Sequence, residues 1–134
     1  LYEDNLTDFD GITILVDAEN QGEKVHGDFI ECDLDYSKSN YYKRIRFIKG
    51  FRKKDGNKIN GEFVGLWRVS GSGKKIVIDS LNELSECKNF SDLTVIDLFN
   101  YISKKIDINV KYVKGSWLDI NTILDLQKLL GNRI

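Results

Sequence analysis

At 134 residues, with 41% hydrophobic and 31% charged side chains, the chain has the size and composition of one globular domain able to bury a core. No apolar run approaches the ~20 residues that span a bilayer, and the acidic start Leu1-Tyr2-Glu3-Asp4-Asn5 lacks the basic n-region of a secretory signal. The formal net charge of −1 conceals a run from Lys43 to Lys58 with eight bases against one acid, Asp55, so the remainder is acidic.

The first element in chain order is Ile12 to Asp17, a β-branched run after Gly11 that reads as a buried parallel strand ending at a carboxylate. Residues 18 to 28, with Gly22 and Gly27, read as loop. Tyr41 to Gly50 alternates and places Ile45 and Phe47 on one face, as an edge or antiparallel strand does. Asp55-Gly56 is a tight-turn pair, and Gly61 to Ser70 is a second strand interrupted by Gly65. Gly71-Ser72-Gly73 breaks that strand and starts a helix carrying Ile76, Leu81 and Leu84. A further helix is predicted from about Ser91, its N-cap, to Lys105, with Val95, Leu98, Phe99 and Ile102 at helical spacing. A strand at 108–113, a Trp-Leu-Asp turn and a last helix over Ile123 to Leu130 close the chain. Strands and helices are mixed without repeats, which predicts an α/β domain.

Cys32 and Cys87 lie far apart and read as free, partly buried thiols, which fits a reducing, cytoplasmic setting. His26 is the single histidine, so neither zinc-ligand spacing nor a nucleophile–base pair is present. The absence of methionine predicts a chain trimmed or cut from something longer. The basic run fits either the solvated face of a hairpin or a phosphate-facing surface.

Individual residues carry competing readings. Asp119 follows a strand and reads as a helix cap or turn, or as a ligand for a hard cation such as Mg²⁺. Trp117 is core packing or a ligand platform, and Asn121 or Thr122 caps the next helix. Asp125 complements the dipole of that helix. Gly65 inside a strand marks a bulge or a close approach. Glu62 accepts from a substrate hydroxyl or amine, or pairs across strands with the basic hairpin. Gly71-x-Gly73-Lys74-Lys75 lacks full phosphate-loop spacing and reads as a turn.

Three segments resemble, in the same order, the C-terminal half of nucleotidyltransferases. They are GDFIECDLDYSKSNYYKRIRFI (Gly27 to Ile48), GEFVGLWRVSGSG (Gly61 to Gly73) and GSWLDINTILDL (Gly115 to Leu126). The form is that of the cytidylyltransferases of phosphonate or phosphocholine pathways, often fused to phosphoenolpyruvate mutase, within the sugar-phosphate nucleotidyltransferase superfamily. The resemblance implies one domain over 1–134, a mixed sheet with flanking helices. This would be a partial nucleotide-diphospho-sugar transferase-like, Rossmann-like fold lacking its N-terminal nucleotide-binding half.

It also implies that Asp119 is the catalytic residue and Mg²⁺ ligand, with Glu62, Gly65, Trp117, Asn121, Lys43 and Arg44 on the substrate side. The implied reaction joins CTP, or another nucleoside triphosphate, to a small phosphate- or phosphonate-bearing acceptor with release of pyrophosphate. The family's Gly-rich loop and first metal Asp have no match here, so this chain alone would be inactive until joined by the missing N-terminal half. The alternative is a non-enzymatic module using the basic 43–58 surface on an anionic partner. Nucleic acid is disfavoured as that partner because aromatics are not interleaved with the bases. A third reading is a structural domain with an exposed sheet edge that promotes association.

Overall fold

The β-branched run does form a strand, and its neighbours wrap it into a cylinder. A computed structural model of the chain describes residues 11–19, 26–37, 39, 43–53, 56–114, 123 and 127. The strands are β1 (Gly11–Asp17), β2 (His26–Cys32), β3 (Ile45–Lys53), β4 (Gly61–Ser70) and β5 (Asn109–Val113). They close into a barrel in the order β1-β4-β2-β3-β5, with β5 returning to β1. Helices α1 (Gly73–Leu84) and α2 (Val95–Ile102), with a 3₁₀ turn at Phe90–Asp92 between them, lie in the connection from β4 to β5.

Alternation along each strand decides what fills the barrel. Ile12, Ile14 and Val16 of β1, Ile30 and Cys32 of β2, Ile45 and Phe47 of β3, Phe63 of β4 and Val110 of β5 form one buried cluster. Leu98, Phe99 and Ile102 of α2 complete it, as the helical spacing of that segment predicts, together with Ile96, while the predicted Val95 only packs against the cluster. Phe99 is the central plug. Its ring meets Phe63 and Trp67 edge to face at 5.2 Å each and Phe47 at 6.2 Å.

Two close approaches fix how α2 sits. A Cβ on Gly50 would stand 2.6 Å from Ile96 Cγ2, so only glycine lets the helix reach β3 there. Asn100 then locks the contact. Its Oδ1 accepts from Gly50 N–H at 2.8 Å and its Nδ2 donates to Gly50 O at 2.9 Å, giving both backbone groups of that residue a side-chain partner. The helix begins one turn later than the sequence predicts. Its cap is Thr94, whose backbone N–H donates to Asp97 at 2.8 Å, while Ser91 belongs to the 3₁₀ turn.

The predicted mixed α/β sheet with flanking helices, the partial Rossmann-like fold, is therefore corrected to a five-stranded closed barrel with two helices among the described residues. Such an α/β fold needs successive parallel strands with a helix in each crossover. Here only β1 and β5 run parallel, and every other pairing is antiparallel. The run ending at Asp17 is buried as expected, yet its other neighbour, β4, is antiparallel. Among the described residues the third reading finds no unpaired edge strand, because β5 bridges β1 and β3. No helix among the described residues is long and apolar enough to cross a membrane.

Candidate functional site

Strand β3 and its flanks carry the basic run onto the outside of the barrel. Ile45, Phe47 and Gly50 turn inward, while Lys43, Arg44, Arg46, Lys49, Arg52, Lys53 and Lys58 are all exposed. Nine strand residues extend about 30 Å, so these exposed cations are spread along that length of the barrel. Carboxylates partly temper their charge. Arg46 pairs with Asp33 at 3.1 Å and Asp107 at 3.5 Å, Arg52 with Asp28 at 3.1 Å, and Lys58 with Asp35 at 3.6 Å. The Asp33 hydrogen bond, then Asp107, pushes the Arg46 pKa further up. These surface pairs are individually worth about 0–1 kcal/mol, and their four carboxylates offset part of the positive charge of the run. Lys43 and Lys53 make no ion pair among the described residues.

Beneath Arg44 the stripe has a polar floor. Asn109, the first residue of β5, is 1% exposed, and its Oδ1 accepts from Arg44 Nε at 2.7 Å. A guanidinium only donates, so the amide oxygen must face it and the NH₂ must turn away. That Nδ2 has no acceptor, although a buried amide donor without one costs about 1–3 kcal/mol. Asn109 stands in register with Thr13 on β1 and Arg46 on β3, and Thr13 stands opposite Arg68 of β4. Polar and cationic side chains thus share one cross-strand row outside the barrel.

The residues that the transferase resemblance implies do not gather. Lys43 and Arg44 sit at the start of β3, whereas Glu62 lies on β4 in register with Asp17 and Phe29, the latter opposite Phe51 near the far end of β3. Seven residues of strand, about 23 Å, separate Arg44 from that row. Glu62 is buried, with its carboxylate so close to Gly27 that a Cβ there would approach Oε2 to 3.0 Å. Gly65 resolves as a bulge. Its φ is 87°, nothing lies within 4 Å of a Cβ placed on it, and the β1–β4 register slips between Ile14/Trp67 and Val16/Phe63. Trp117, Asp119 and Asn121 lie outside the described residues.

A Mg²⁺ site finds no ligand set among the described residues, where no three Asp, Glu, His or Cys side chains converge. Asp17 and Glu62 supply two carboxylates, but Asp17 Oδ1 accepts from Glu19 N–H at 2.9 Å as a turn former, so no metal-dependent step is built on this pair. Of the segment read as a turn, Gly71 and Ser72 are one, while Gly73, Lys74 and Lys75 already form the first turn of α1, with Lys74 N–H donating to Gly71 O at 3.3 Å.

Both cysteines are free, Cys32 buried and Cys87 exposed. Burial pushes the Cys32 thiol up to about 12, beside a Tyr112 hydroxyl itself raised by burial, so Cys32 is a packing residue and not a nucleophile.

Sequence reading missed the three asparagines that organise the barrel's polar joints. They are Asn109, Asn100 and Asn60; Asn60 Oδ1 accepts from Cys32 N–H at 2.7 Å, and its Nδ2 donates to Asp35. Each acts on a residue at least 25 positions away, so no local pattern signals it. No protein-family model, no curated protein and no solved structure matches the chain.

Proposed function

We propose that this domain is a non-enzymatic binding module that engages an anionic partner through the outer face of β3 and its flanks. The carrying observation is the row of seven exposed cations on one strand and its flanks. Asn109 supports it by holding the Arg44 guanidinium in place on that face, its Oδ1 accepting from Arg44 Nε at 2.7 Å. Closing the barrel strengthens the reading physically: a rigid scaffold holds the stripe in place, so little conformational entropy is lost when a partner arrives.

The transferase reading leaned on a parallel sheet whose strand ends open into a ligand crevice. With that sheet replaced by a barrel, its remaining support is the sequence resemblance of the three segments, of which Gly115 to Thr122 lies outside the described residues.

Titration of the protein into labelled heparin tests the proposal. Binding should weaken by about 10-fold or more between about 50 and 200 mM salt, as displacement of several counterions requires. Lys43→Glu with Lys53→Glu should weaken it further at low salt. No binding at low salt, or binding indifferent to salt, would overturn the reading.

A further inference from the structure

Helix α1 carries more apolar surface than the barrel uses. Ile76, Val77 and Leu84 pack toward the core cluster, yet Ile78 and Leu81, three residues apart on one face, are 58% and 41% exposed. Such a helix, apolar on two sides, has a second face to cover. That face borders a half-open groove of about 240 Å³ between the end of α1, the 3₁₀ turn and the start of α2. Leu81, Leu84, Phe90, Leu93, Val95 and Leu98 line it, and Phe90 at its lip is 41% exposed.

Charge identifies the occupant. From Ile78 to Leu98 the chain has five acids (Asp79, Glu83, Glu86, Asp92 and Asp97) and one base, Lys88. Glu83 is engaged by Lys105 and Tyr101, which lower its pKa, while Glu86 and Asp92 stay exposed beside the groove. Helix α1 also ends here with no base in its last turn, so its negative C-terminal dipole adds to the field. The basic stripe on β3 does not neutralise it, because no ion pair joins the two runs among the described residues.

We infer that this groove docks a cationic amphipathic helix of a partner protein. Large apolar side chains at i, i+3 and i+4 would enter between Leu81, Phe90 and Leu93, with flanking Lys or Arg toward Glu86 and Asp92. This second surface is independent of the anion-binding stripe.

The test uses a fluorescein-labelled Leu/Lys peptide of about 18 residues, with leucines on one helical face. A scrambled peptide of equal composition and a Leu/Glu counterpart serve as controls. The amphipathic cationic peptide should bind at micromolar Kd, at least about 10-fold tighter than either control. Phe90→Ala should weaken binding about 10-fold. Glu86→Lys with Asp92→Lys, at exposed positions that leave the core untouched, should also weaken it severalfold and flatten its salt dependence. Equal binding of the scrambled peptide, or affinity unchanged by the charge reversals, would overturn the inference. Reversible dimerisation in sedimentation that Leu81→Ser abolishes would assign the groove to a second copy and likewise overturn it.

Discussion

Phe99→Ala should be the most damaging single truncation in the described structure. Phe99 is fully buried and its ring is ringed by Phe47, Phe63 and Trp67 at 5.2 to 6.2 Å. Removing it costs the transfer energy of the ring plus the cavity left behind, about 3–5 kcal/mol for a buried Phe→Ala. The three aromatic pairs, at about 0.5–1.5 kcal/mol each beyond area burial, place the value at the upper end of that range. Against a total stability of about 5–15 kcal/mol, the variant should sit near the edge of folding. Urea unfolding followed by tryptophan fluorescence is the natural assay, because Trp67 touches the altered ring. Phe99→Leu separates the contributions: it keeps most of the apolar volume and loses the ring edges, so it should cost about 1–2 kcal/mol. A loss below about 1.5 kcal/mol for Phe99→Ala, at unchanged m-value, would refute α2 as the plug of the barrel.

Gly50→Ala should destabilise by about 1–3 kcal/mol by the same assay, since its Cβ would fall 2.6 Å from Ile96 Cγ2; a neutral result would mean α2 does not press on β3 there. Asn100→Ala leaves the Gly50 N–H and C=O without their side-chain partners and should cost about 2–5 kcal/mol at unchanged core volume. In native protein a thiol reagent should modify Cys87 quickly and Cys32 only on unfolding; two fast equivalents would contradict the burial of Cys32. The Cys32 pKa is raised on folding, so its contribution to stability is present below the unfolded thiol value. It is lost as pH rises from about 9 toward 12, at up to about 1.4 kcal/mol per pH unit. Cys32→Ala should flatten that alkaline decline in urea unfolding, and an unchanged slope would count against the buried thiol as its source.

What the sequence disclosed followed periodicity. Ile12 to Val16, the Ile45/Phe47 alternation, Gly65 as a bulge and the Val95-Leu98-Phe99-Ile102 stripe all report local geometry, and local geometry is what side-chain spacing encodes. Strand β2 was hidden because Phe29 and Ile30 are adjacent apolar residues buried on opposite faces. Ile30 joins the interior cluster while Phe29 pairs with Phe51 outside it, and register shifts on both sides erase the two-residue period. Nothing local distinguishes an open α/β sheet from a closed barrel. That choice rests on Val110 meeting both Ile14 and Ile45, nearly 100 and 65 positions away. For the site, charge count exposed the stripe on β3, whereas the amide of Asn109 required the β3–β5 contact to be known.

Closure also constrains how any partner is met. An open sheet offers unpaired N–H and C=O groups and recruits extended peptides by adding a strand. In this barrel β1 pairs with β4 and β5, and β3 with β2 and β5, so no described strand is an edge strand along its whole length, although the β2–β4 and β3–β5 seams are two residue pairs each. Charge segregates in two other places, the outward side chains of β3 with its flanks and the helical connection. Eight bases cluster from Lys43 to Lys58, and five acids lie from Asp79 to Asp97. Had each run served only solubility, interleaved signs would have done so without the mutual repulsion that a run of like charges imposes. The repulsion is relieved when a complementary surface arrives, so each binding event should stabilise the fold as well as occupy a face. Heparin should therefore raise the unfolding midpoint of the wild type and raise it less in Lys43→Glu/Lys53→Glu. An equal rise in both would detach the stabilisation from the basic stripe.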